Sequence, residues 1–228
     1  MKFLKFVLPV VVAGAAFAAT PAAAVTILDF EGVGNLASVD DFYNGGTDSQ
    51  GNSGTDFGIQ FSNTSLGIID SDAGGTGNFA NETTEDTVLF FLDGDAATMN
   101  VFGGFDTGFS FFYSSEFSGF VTVYDDLDGM GNVLATLDLA GNIGSCAGDP
   151  NGRFCQFDPF GVTFDGTAMS VDFGGVADRV AFDNITLGSA TPAIPEPATW
   201  AMLILGLFGV GGMMRRQKQN AEARISFS

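Results

Sequence analysis

Short apolar or alternating runs recur through the middle of the chain. They are Val25–Phe30, Phe57–Phe61, Leu66–Ile69, Thr87–Leu92, Thr98–Phe102, Gly108–Tyr113, Gly119–Tyr124, Val133–Leu139, Val162–Phe164, Met169–Phe173 and Arg179–Leu187. Turn-forming pairs punctuate them, among them Asn44-Gly45, Asp93-Gly94, Asp128-Gly129 and Asp165-Gly166. A period of two is the mark of a half-buried strand, and no segment between Val25 and Ile194 holds a capped 3.6-residue period. Many short strands joined by Gly-rich turns predict an all-β domain over residues 25–188, an antiparallel β-sandwich or jelly roll. The sharpest hairpin signal is Val162–Phe164, Asp165-Gly166 and Met169–Phe173. Phenylalanines at 90, 91, 109, 111, 112, 164 and 173 read as inward-facing core. The Gly-, Ser-, Thr-, Asn- and Asp-rich stretch from Asn35 to Asn81 predicts long surface loops. The lack of a fixed-period repeat argues against a solenoid or propeller.

The two ends differ from this middle. Residues 1–24 read as a signal peptide, a helix removed by signal peptidase: Lys2 and Lys5 precede an apolar stretch, and Ala22-Ala23-Ala24 meets the small-residue cleavage rule. Residues 189–197 form a linker ending in Pro195-Glu196-Pro197. Residues 198–214 are uncharged and long enough for a slightly short transmembrane helix, roughly 26 Å at about 1.5 Å per residue. Trp200 marks one boundary of that helix and Arg215-Arg216 the other, opening a basic tail over 215–228. Basic residues on both outer flanks stay in the cytoplasm, so the middle is exported.

Pro195-Glu196-Pro197-Ala198-Thr199-Trp200, the apolar helix and Arg215-Arg216 together resemble the PEP-CTERM sorting signal of Gram-negative bacteria. The same tail is similar to the C-terminal domain catalogued for ice-binding proteins, a label that concerns the tail alone. The resemblance implies recognition by an exosortase, a membrane-embedded processing enzyme, through Pro195, Glu196 and Pro197. It implies a chain exported across the inner membrane, transiently membrane-anchored, then found at the cell surface or outside the cell.

Charge narrows the chemistry. The chain carries a net −19 with no histidine, and between Val25 and Ile194 there are 25 carboxylates against Arg153 and Arg179. A polyanion offers no basic face to nucleic acid. Without histidine, Ser-His-Asp and Cys-His catalysis and histidine-ligated metals are excluded. Cys146 and Cys155 flank a turn in an exported chain and read as a disulfide, which closes a loop worth roughly 2.5–3 kcal/mol.

An acid-rich chain suits hard cations such as Ca²⁺, which take oxygen ligands. Asp125–Asn132 is one candidate. Laid on an EF-hand loop it fails at Met130 and Leu137, and a solvated hairpin loop between Gly119–Tyr124 and Val133–Leu139 is the favoured reading. The other candidate joins Asp29-Phe30-Glu31-Gly32 to Phe182-Asp183-Asn184-Ile185, where the inward parity changes and predicts a bulge. This opening and ending are similar to galactose-binding-like jelly rolls, and that resemblance implies Glu31 and Asp183 as ligands of a structural calcium.

No carboxylate pair stands out as catalytic, so the chain reads as a non-enzyme. The expectation is a surface or extracellular-matrix protein with an adhesion or biofilm role, possible calcium binding and exopolysaccharide as a partner. A carbohydrate-binding, lectin-like module is the alternative, although Trp200 lies outside the domain and its tyrosines are only Tyr43, Tyr113 and Tyr124. A carboxylate-dependent glycoside hydrolase is a third reading.

Overall fold

A computed structural model describes residues 25–94, 96–144, 146 and 152–193. The predicted signal segment, the sorting helix and the residues Pro195, Glu196, Pro197, Arg215 and Arg216 lie outside these. Among the described residues there is no helix, and the chain forms eleven antiparallel strands. They are β1 (Thr26–Leu28), β2 (Ile59–Phe61), β3 (Leu66–Ile69), β4 (Thr87–Phe90), β5 (Ala96–Phe105), β6 (Gly108–Ser115), β7 (Gly119–Tyr124), β8 (Val133–Leu139), β9 (Asp158–Thr163), β10 (Ala168–Gly174) and β11 (Val180–Leu187). Each apolar run of the sequence thus becomes a strand.

The strands form two sheets. The first runs β3-β4-β11-β6-β9, with β1 also paired to β11; the second runs β2-β5-β10-β7-β8. They pack face to face through one apolar core, in which Phe109, Phe111 and Phe182 of the first sheet meet Phe173 of the second. Ring centroids lie 5.0 to 6.2 Å apart in tilted and edge-on pairs, the arrangement aromatic quadrupoles favour. The protein is a β-sandwich.

The Asp165-Gly166 segment is not a hairpin turn. β9 pairs with β6 in the first sheet and β10 sits between β5 and β7 in the second, so residues 164–167 cross from one sheet to the other. β10 is mostly buried and is satisfied by ladders on both edges. β9, with Pro159 and Gly161, is an exposed edge strand suited to a single neighbour. Local turn chemistry cannot register that difference in burial.

Nor is 35–81 merely surface. Ala37, Val39, Phe42 and Tyr43 enter the core, and the buried Asp48 carboxylate closes the segment. It accepts bonds from the backbone N–H groups of Gly34, Gln50 and Asn52 and from the Asn52 side chain, all at 2.8–2.9 Å. Polar composition here supplies internal partners rather than solvation.

The outer face of the first sheet is covered twice. Phe79 and Phe154 bring their segments together over Val88 and Ala181. Further along, the first described residues of the linker, as far as Ala193, lie against the sheet. Gly188 N–H donates to Gly108 O, Ser110 Oγ to Ser189 O, and Ala193 N–H to Thr186 Oγ1. Gly108 and Gly161 make room for it, since a Cβ at either would strike the backbone of residues 189–190.

Candidate functional site

β11 carries the bulge that the parity change predicts. Its register against β6 shifts between Asp183 and Thr186, and Asn184 takes φ = 47°. Along the opposite edge of β11, β4 pairs with Ala181 and Phe182, while β1 pairs with Ile185 to Leu187. The bulge marks the exchange of one neighbour for the other, and it aims a fully buried carboxylate at the loop between β3 and β4. Asp183 Oδ2 accepts from Thr83 N–H (3.0 Å), Thr83 Oγ1 (2.7 Å) and Thr84 N–H (3.3 Å). Oδ1 accepts from Thr84 Oγ1 (3.2 Å) and Asn184 N–H (2.6 Å).

Glu31 grips the other end of the same loop. Its two oxygens accept from Thr87 N–H (3.0 Å) and Thr87 Oγ1 (3.2 Å). The two residues singled out in the sequence therefore converge on one segment, Thr83–Thr87, each as an acceptor. Asp183 is saturated by donors, because a carboxylate has room for about four hydrogen bonds.

Glu82, at the head of this loop, carries no sequence signal of its own. Its Oε2 is buried without a hydrogen-bond partner, as is Nδ2 of the fully buried Asn184. Burial raises all three acids, most simply because a low-dielectric surround disfavours charge. Glu31 is pushed from 4.5 to about 7 by desolvation, against the Thr87 bonds. Glu82 also reaches about 7, through desolvation and then the nearby Asp70, Asp86 and Asp183 charges. Asp183 is raised to about 6 by desolvation, with Thr83, Thr84 and Asn184 opposing it. Among the described residues no group of three or more His, Cys, Asp or Glu is arranged to hold a metal. The feature that fits a hard cation is the orphaned Glu82 oxygen, which feels the charges of Asp70, Asp86 and Asp183.

The Asp125–Asn132 loop joins β7 to β8 and closes on itself. Asn132 donates N–H and Nδ2 to the Asp125 carboxylate at 2.6 and 2.8 Å, and these bonds hold Asp125 below the usual range. The loop also leans back onto the second sheet: Asp128 exchanges hydrogen bonds with the Asn100 side chain, and Gly129 N–H donates to Ser170 Oγ. Cys146 and Cys155 are disulfide-bonded, with Cα atoms 5.3 Å apart. Both described arginines gather at Glu116: Arg153 pairs with it and Arg179 approaches to 3.6 Å.

Residues 193–217 match the family model of the PEP-CTERM protein-sorting motif. No curated protein matches the chain. Among solved structures, the K2 cleaved adhesin domain of Lys-gingipain aligns over 73% of this chain and 100% of that one, with TM-score 0.43 and 11% identity. A glycoside hydrolase family 43 arabinoxylan arabinofuranohydrolase from Bacillus subtilis, solved with cellotetraose, aligns over 58% of this chain and 27% of that one, with TM-score 0.35 and 14% identity. At such low TM-scores neither likeness bears on what this chain does.

The sorting motif marks a protein that is exported, held transiently in the membrane and cut by an exosortase, and that ends on the cell surface or outside the cell.

Proposed function

We propose that the exported sandwich, a jelly roll in type, is a non-catalytic adhesion module of the extracellular polymer layer, or biofilm matrix. The sorting motif carries this reading, because it delivers the domain to the cell surface or beyond it. The composition supports it: 25 carboxylates against two arginines between Val25 and Ile194 make a surface that divalent cations can bridge to other polyanions.

Calcium fits one place best, beside the loop that Asp183 and Glu31 hold. There Glu82 supplies a free oxygen, and a divalent charge would offset the desolvation that, more than neighbouring charge, raises these acids. Glu31 then acts as a further ligand, and Asp183, whose oxygens are already taken by donors, as the strut that keeps the loop in place. In millimolar Ca²⁺ the melting temperature rises in the parent and not in Glu82→Gln or in the Glu31→Ala, Asp183→Ala double variant. An unchanged parent removes calcium from the account and leaves the adhesion reading to be judged on localisation.

The same buried acids do not favour the hydrolase. Glycoside cleavage needs two carboxylates facing each other across an open cleft. Asp183 is instead fully buried and engaged with backbone and hydroxyl donors. Incubation with a polysaccharide panel is expected to release no reducing sugar.

A further inference from the structure

Thr26 of β1 and Leu187 of β11 line an open cavity of about 420 Å³, together with Gly103, Asp106 and Thr167. A second cavity, about 270 Å³, is lined by Asp29, Glu31, Ser53 and Thr55. Phe57 lines both. The larger lies within the ~300–1,000 Å³ typical of small-ligand sites.

Phe57 is a prepared platform. It is 42% exposed, as Phe102, Phe117 and Phe120 are to a similar degree, but it is the exposed ring that lines these cavities and is backed by a buried one. The Tyr43 ring stacks behind it at 6.0 Å and 25°, and Phe57 N–H donates to Tyr43 O at 2.9 Å. Tyr43 is buried, and its hydroxyl accepts from Phe30 N–H at 2.8 Å. A ring already held in place costs little ordering when a ligand arrives.

The walls are rich in acceptors. Asp29 and Glu31 line the smaller cavity and Asp106 the larger, with hydroxyls from Thr26, Ser53, Thr55 and Thr167, and neither Arg153 nor Arg179 lines either cavity. Such a groove repels uronates and sulfates. It welcomes a donor-rich ligand with a flat apolar face and positive charge, since ammonium groups pair with carboxylates and are attracted to aromatic faces. We propose that the groove binds a glycan built of hexosamines with free amino groups, one sugar face stacked on Phe57 and an ammonium directed at Asp29 or Asp106. This goes beyond the adhesion reading by naming the ligand class, and it requires neither calcium nor exosortase cleavage.

Titration calorimetry of the full chain in detergent, with chitosan oligosaccharides, tests it. Two variants are informative. Phe57→Ala removes the platform. Gly103→Trp fills the larger cavity, where an added Cβ meets nothing within 4 Å. Each is expected to weaken binding about tenfold or more, at an unchanged melting temperature for Gly103→Trp. Fully acetylated chitin oligosaccharides are expected to bind at least about tenfold more weakly, and oligoalginate not at all. Parent-like binding by both variants overturns the proposal, as does absence of chitosan binding. Equal affinity for chitin oligosaccharides or for spermine also overturns it, the first removing the amine and the second the sugar ring.

Discussion

Two buried aspartates close two loops, and they answer opposite questions about charge. Asp48, 3% exposed, ties Gly34 to Gln50 and Asn52; Asp183, 0% exposed, ties Thr83 and Thr84 to β11. Both are surrounded by hydrogen-bond donors. Desolvation is the largest influence on each, yet the donors outweigh it at Asp48, which lies below 3.8, and fall short at Asp183, which rises to about 6. The Asp183 region also holds Glu82 and Glu31, both at about 7. One loop is closed by a carboxylate at ease as an anion. The other gathers acids whose burial makes the charged form costly.

The largest expected effect comes from Asp183→Ala. It strands two hydroxyls and three backbone N–H groups in the interior and should cost about 3 kcal/mol or more, read as the shift in urea midpoint. Asp48→Ala strands three backbone N–H groups nearer the surface and should cost about 2 kcal/mol, with faster hydrogen exchange over 34–52. A smaller cost at Asp183 than at Asp48 breaks the contrast between them.

Acidity sharpens it. Glu31, Glu82 and Asp183 have folded pKa values above their unfolded ones, so the folded state takes up protons first as pH falls. Without calcium, stability therefore increases from pH 8 down to about pH 5 through these three, and the melting temperature rises by several degrees at about 2–4 °C per kcal/mol. Asp48 acts the other way: its contribution is full above pH 4 and is lost as pH falls through its depressed value. Glu82→Gln is expected to flatten the rise between pH 8 and 5 while leaving the acid limb unchanged. The smallest effect is that of Glu31→Gln, about 1 kcal/mol or less, because an amide oxygen can still accept from Thr87. A calcium-induced stabilisation larger at pH 7.5 than at pH 5 would tie the cation to the same acids.

Periodicity made the strands legible. Leu66–Ile69, Gly119–Tyr124 and Val133–Leu139 have the same bounds in sequence and structure, because alternating side chains and flanking turns are local facts. Sheet membership was not local. Asp165-Gly166 has the chemistry of a hairpin, but β6 offers a free edge to β9 while β10 is drawn between β5 and β7. The bulge at Asp183 could be seen because it breaks a parity. Glu82 could not, since it stands in a polar run with no pattern to break, and its isolation exists only once the loop is folded against β11. The Cys146–Cys155 pair was readable from count and compartment alone.

Delivery to the outside is the premise of every role argued for this domain. Intact mass of the protein, taken from cytosolic, membrane, surface and extracellular fractions of its native host, tests that premise most directly. The account predicts a surface or extracellular species that has lost residues 1–24 and the helix beyond Pro195-Glu196-Pro197, and whose amount falls when the exosortase is deleted. A full-length species residing in the cytosol would contradict it.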